Sequence, residues 1–121
     1  MTTNDRTKWI TYKGKKIISI DYTNLSGDEM IKYIDYNTEF YSNLDETDLL
    51  TLVNFTDSFA SKTNLDALKK SGATNKHKMK KTAVLGITGV KKIFLNVINS
   101  LINLGAKSFK NEEDALEWLV A

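Results

Sequence analysis

After a polar start, the apolar residues fall first into two short β-rich runs and then at helical spacing. Trp9–Lys13 and Ile17–Tyr22 are rich in β-branched and aromatic residues, and Gly14-Lys15-Lys16 between them predicts an N-terminal hairpin. Ser26-Gly27-Asp28-Glu29 has the spacing of a capping box, which predicts a helix starting there with Ser26 and Glu29 exchanging side-chain to backbone hydrogen bonds. Ile31, Ile34, Thr38 and Tyr41 then recur at spacings of three and four, widened by Met30, Phe40 and Leu44, and the helix is expected to end near Asn43. Leu49–Phe55 is almost continuously apolar, the pattern of a central strand covered on both faces.

A second helix is predicted over Thr63–Ser71, with Leu65 and Leu68 inward and Gly72 or Asn75 at its end. Thr82–Ile87 reads as a buried strand that stops at Gly86 and turns into the longest amphipathic run, Val90, Ile93, Phe94, Val97, Ile98, Leu101 and Ile102, closed by Gly105. A short strand at Lys107–Phe109 precedes Asn111, an N-cap for a last helix whose first turn holds Glu112, Glu113 and Asp114 and whose Ala115, Leu116 and Leu119 point inward. The order is ββαβαβαβα. It predicts an α/β fold with a single mixed β-sheet of about five strands flanked by about four helices.

The 121 residues fit one domain, 1–121, with residues 1–8 expected as a flexible N-terminal tail. Hydrophobic residues at 41% and charged residues at 26% are enough for a core and far from the signature of disorder. The absence of cysteine removes disulfides, thiolate nucleophiles and sulfur-ligated metal. No apolar run approaches the roughly 20 residues of a membrane span, and the polar start is unlike a secretory signal, so a cytoplasmic location is expected. The net charge of +2 hides an asymmetry: residues 1–61 carry −4 and residues 62–121 carry +6, with nine lysines and the single acid Asp66 between Lys62 and Lys92. Arginine and interleaved aromatics are missing there, so the segment reads as a solvated face and nucleic acid is not an expected partner.

No catalytic constellation emerges. His77 is the one histidine and sits among lysines without an orienting carboxylate, and the acids at 28–29, 45–46 and 112–114 fall at helix starts or loops. The chain is therefore read as a non-enzyme with neither cofactor nor metal. Gly86-Ile87-Thr88-Gly89 matches neither the dinucleotide fingerprint nor the phosphate-cradling loop. What it offers is a helix start, where Thr88, Gly89, Lys91 and Lys92 form a candidate site for a small anion or lipid headgroup. The aromatics Tyr33, Tyr36, Phe40, Tyr41, Phe59 and Phe94 are assigned mainly to core packing, with Tyr33 and Tyr36 partly off the buried stripe and available to a partner, a second subunit or an acyl chain.

The element order, together with Gly86-Ile87-Thr88-Gly89-Val90-Lys91-Lys92 and the closing Asn111–Leu119 helix with its Ala115-Leu116-Glu117-Trp118-Leu119, resembles the SpoIIAA-like proteins, a group of STAS/CRAL-TRIO-type domains. The likeness covers nearly the whole chain. It implies a small cytoplasmic bacterial protein with a STAS-like fold; STAS relatives include anti-sigma-factor antagonists switched by serine phosphorylation, and CRAL-TRIO relatives bind lipophilic ligands. The antagonists' Asp-Ser-Ser/Thr-Gly corresponds here to Asp57-Ser58-Phe59-Ala60, so Asp57 and Ser58 match while Phe59 and Ala60 depart. Ser58 is the candidate phosphorylation site, against the plainer role of Ser58 or Ser61 as a helix cap. The expected function is a binding or regulatory module acting through protein contacts, with another protein or a second copy of itself in a homodimer. The alternative is a small carrier of a lipid or other amphipathic anion near Thr88–Lys92.

Overall fold

The computed structural model of the chain describes residues 5–88, 91–92, 95–96, 99 and 105–121. Five strands make one mixed sheet in sequence order: β1 Thr7–Tyr12, β2 Lys15–Asp21, β3 Leu49–Asn54, β4 Met79–Leu85 and β5 Ala106–Phe109. β1 runs antiparallel to β2, and β2 through β5 are parallel. Three α-helices are described along their length: α1 Gly27–Ser42, α2 Lys62–Asn75, which passes into a 3₁₀ turn at Lys76–Lys78, and α3 Glu112–Val120. The helix predicted over 90–102 lies largely outside the described residues; within it Lys91, Lys92, Leu95, Asn96 and Asn99 are helical.

Each parallel crossover steps in the same direction across the sheet, which puts the connecting segments on one face. There, Met30, Ile34, Phe40 and Tyr41 of α1 pack with Leu95 over Ile18, Ile20, Leu49, Val53 and Val84. α3 covers the opposite face, burying Ala115 and Leu119 against Ile17, Leu50, Leu52, Ala83 and Leu85. β3 is thus covered on both sides, and so its sequence is apolar without alternation.

Local chemistry moves several boundaries. Lys13 (φ 48°) and Gly14 (φ 81°) are both left-handed, the pattern of a two-residue primed turn, so β2 already starts at Lys15, paired with Tyr12. The expected tail is shorter than residues 1–8. Thr7 pairs with Ile20 and Lys8 with Ser19, because hairpin pairing continues until Arg6, whose guanidinium donates to the carbonyls of Asp21 and Thr23.

The predicted capping box at Ser26 does not form: Ser26 is the N-cap of α1, but its side chain caps nothing, and its extended backbone forms a bridge with Phe59. The capping box belongs to α2, where Ser61 accepts from the Asn64 N–H and the Asn64 side chain accepts from the Ser61 N–H. α2 runs past Gly72 because the buried Asn75 anchors it to α1, donating to the Thr38 carbonyl (3.0 Å) and accepting from Ser42 Oγ (3.2 Å).

Candidate functional site

The carboxyl ends of β2, β3 and β4 form a stepped rim. Asp21 Oδ1 accepts from the N–H and Oγ1 of Thr23, and Asn54 Oδ1 does the same for Thr56, so two neighbouring strands end in matching side-chain-stabilised turns. Tyr22 N donates to Asn54 O and Phe55 N to Leu85 O, each at 2.8 Å, which carries the ladder one residue past the strands. The Tyr22 and Phe55 rings stack beneath this rim with centroids 5.2 Å apart. The strand order has no reversal, so the rim lacks the switch-point crevice that holds dinucleotides in doubly wound sheets.

Gly86 ends β4 at φ 81°, and a Cβ built on it would fall 2.6 Å from the Cα of Thr56. This glycine lets the β4 end lie against the β3 turn. Gly89, part of the candidate anion site, lies outside the described residues.

Two sequence candidates meet at one carbonyl. Phe55 O accepts Ser58 N (3.1 Å), Ser58 Oγ (2.7 Å) and Lys91 Nζ (2.9 Å). Ser58 is buried by this arrangement, three residues ahead of Ser61, the actual cap of α2. The predicted cluster at Thr88, Lys91 and Lys92 is divided. Lys91 lines a groove with Phe55, Ser58, Phe59, Ala60 and Ile87, whereas Lys92 faces a separate cleft with Ser108, Phe109 and Lys110; Thr88 borders both.

Phe59, assigned to packing by the sequence reading, is 71% exposed. Its backbone bridges to Ser26 and its N–H donates to Leu25 O, so the loop that carries the ring is tied to the chain before α1. The only hint in the sequence is its place in a polar loop, Asp57 to Ser61. Tyr33 and Tyr36, offered as a greasy patch, are instead half-buried, Tyr33 under the Arg6 guanidinium and Tyr36 stacked on Phe40.

Much of the basic segment is structural. Lys78 Nζ donates to the carbonyls of Tyr41, Ser42 and Leu44 at the end of α1, and Lys81 Nζ to those of Trp118 and Ala121 at the end of α3. His77 is exposed. Among the described residues no group of three or more His, Cys, Asp or Glu side chains is placed to share a metal ion, and no helix is long and apolar enough to cross a membrane.

The crystal structure of an uncharacterized protein with a SpoIIAA-like fold from Shewanella loihica PV-4 superposes on this chain with a TM-score of 0.70, at 16% identity and covering 98% of each chain. At that identity the likeness speaks for the fold. No curated protein matches the chain. The model of the SpoIIAA-like family matches residues 17–120, from the second strand through the last helix. The chain is a member of the SpoIIAA-like family.

Proposed function

We propose that this chain is a non-enzymatic, cytoplasmic binding module of regulatory type, which engages a protein partner through the rim at the carboxyl ends of β3 and β4. The observation that carries this reading is Phe59: a large apolar ring, 71% exposed, beside a groove whose walls include Phe55, Ala60 and Ile87. Aromatic residues of this kind anchor interfaces because they bury much area at little entropic cost. Phe59→Ser tests it. Affinity capture with wild type and Phe59→Ser should show a partner retained by the first and lost by the second, with equal melting temperatures as the folding control. Sedimentation separates a foreign partner from a second copy of the chain. Equal capture by the two proteins overturns the reading.

A second reading, a carrier for an amphipathic anion, is supported by the cleft in which Lys92 and Lys110 flank Thr88 and Ser108. It requires that phosphate or anionic vesicles raise the wild-type melting temperature and that Lys92→Ala remove the effect.

A further inference from the structure

β1 lies at an edge of the sheet, and the hydrogen-bond phase of the hairpin shows which of its groups are left over. The Asp21 N–H donates to Arg6 O, so residues 6, 8, 10 and 12 turn their backbone groups toward β2 and the odd-numbered residues turn theirs outward. Thr7 is fully buried, which closes the edge at one end, and the left-handed Lys13-Gly14 turn closes it at the other. Between them Lys8–Tyr12 is exposed or half-buried, without bulge or proline. Among the described residues nothing bonds to the outward N–H and carbonyl groups of Trp9 and Thr11. An open strand edge of this kind is a template for another strand.

The open stretch restricts how a second copy of β1 could add to it. Antiparallel pairing joins residues of like backbone orientation, so the two-fold axis must pass through one residue. An axis at Lys8 opposes two lysines, one at Trp9 needs the buried Thr7 opposite Thr11, and one at Thr11 sets Trp9 against Lys13 of the turn. An axis at Ile10 avoids all three. It pairs Trp9 with Thr11 of the second copy and Thr11 with Trp9, each pair exchanging two main-chain hydrogen bonds. On the α3 side of the sheet the half-buried Ile10, register partner of Ile17, then meets its own copy, so the isoleucine row runs unbroken across the seam. Lys8 falls opposite Tyr12, whose hydroxyl bonds to Glu117; the cations beside Tyr12 are already engaged, Lys13 by Glu117 and Lys15 by the Val120 carbonyl.

We propose that β1 is a docking edge for a second copy of this chain, which pairs antiparallel with β1 of that copy about Ile10 and joins the two sheets into one. Five residues from each copy bury less than the roughly 1,200 Å² of stable interfaces, so the dimer is weak and follows concentration. Across such an axis the two rims point in opposite directions, and the seam uses no residue of the Phe59 groove.

Sedimentation velocity of the full chain over a wide concentration range should show a reversible monomer–dimer equilibrium. Thr11→Pro removes an outward N–H and no bond to β2, so it should weaken association at least tenfold while far-UV dichroism shows the monomer folded. Ile10→Lys, which opposes two charges at the axis, should act alike and decides where the proline variant folds poorly. The chain has no cysteine, so Ile10→Cys carries a single thiol. At a non-hydrogen-bonded pair this thiol lies close enough to its own copy to oxidise to a cross-linked dimer, whereas Lys80→Cys at an exposed site should stay monomeric. Phe59→Ser should leave the equilibrium unchanged. A chain that stays monomeric at every concentration overturns the proposal and leaves the rim reading standing. A dimer that survives both Ile10→Lys and Thr11→Pro, or one abolished by Phe59→Ser, overturns the seam at β1, and failure of Ile10→Cys to cross-link overturns the axis at Ile10.

Discussion

Ser58 Oγ and Lys91 Nζ donate to the same oxygen, the carbonyl of Phe55, at 2.7 and 2.9 Å. One of these side chains was a candidate for phosphorylation and the other for anion binding. In the fold, both satisfy the backbone where β3 turns toward α2, and Lys91 thereby ties the β4–β5 connection to that turn.

Ser58→Ala should cost about 1 kcal/mol, the loss of one buried hydrogen bond. Ser58→Asp should cost more, because an ionised carboxylate cannot donate to the Phe55 carbonyl and must be desolvated. Urea unfolding of the two variants measures this order. Phosphopeptides covering Asp57 to Ser61 are expected to be absent from cells, since Ser58 Oγ is buried; finding one would revive the phosphoswitch.

Gly14 and Gly86 share φ 81° but differ in surroundings: a Cβ on Gly14 meets nothing within 4 Å, and one on Gly86 meets the Thr56 backbone. Gly14→Ala should therefore cost about 1 kcal/mol, the left-handed strain alone. Gly86→Ala should cost at least about 2 kcal/mol more, because backbone must move. Similar losses in denaturant unfolding would show that the β3 turn yields freely.

Three neighbouring lysines separate structural from solvated charge. Lys78→Met and Lys81→Met keep the apolar stem and remove the ammonium that caps α1 and α3, and each should lose about 1 kcal/mol. Lys80 is exposed, and Lys80→Met should stay within about 0.5 kcal/mol of wild type. Equal stability of all three variants would show that the lysine caps contribute nothing.

Glu117 accepts from Lys13 Nζ (2.5 Å) and from Tyr12 OH (2.8 Å), joining α3 to the hairpin turn. The Lys13 bond first, then Tyr12, holds its carboxyl below the usual carboxylate range. A carboxyl whose pKa is lower folded than unfolded stabilises above its unfolded pKa and loses that contribution as pH falls through the folded value. Wild type should thus lose melting temperature through the carboxylate range, and Glu117→Gln should lose less while starting lower at neutral pH. Because the pair is partly solvated, the difference should shrink in high salt; parallel pH profiles for the two proteins would remove Glu117 from the acid response.

Among the described residues the five strands and three of the four expected helices are legible in the sequence, since hydrophobic periodicity is local and each strand or helix announces its buried face within its own residues. β3 shows this in its unbroken apolar run, and Asn111 in the cap it gives to Asp114 N. The family likeness was legible for the same reason. What the tertiary structure alone decided are the partners of polar and small groups. Ser26 and Ser61 are both N-caps, and only contact with Phe59 and Asn64 determines which forms a capping box. Likewise Phe59 reads as core, yet the bonds of its loop to the chain before α1 leave its ring in solvent. Thr82 looks like any β-branched strand residue, yet in the fold its buried hydroxyl has no hydrogen-bond partner. Burial follows from a residue's own chemistry and period, whereas hydrogen-bond partners and cavities arise from residues far apart in the chain, whose spacing carries no local signal.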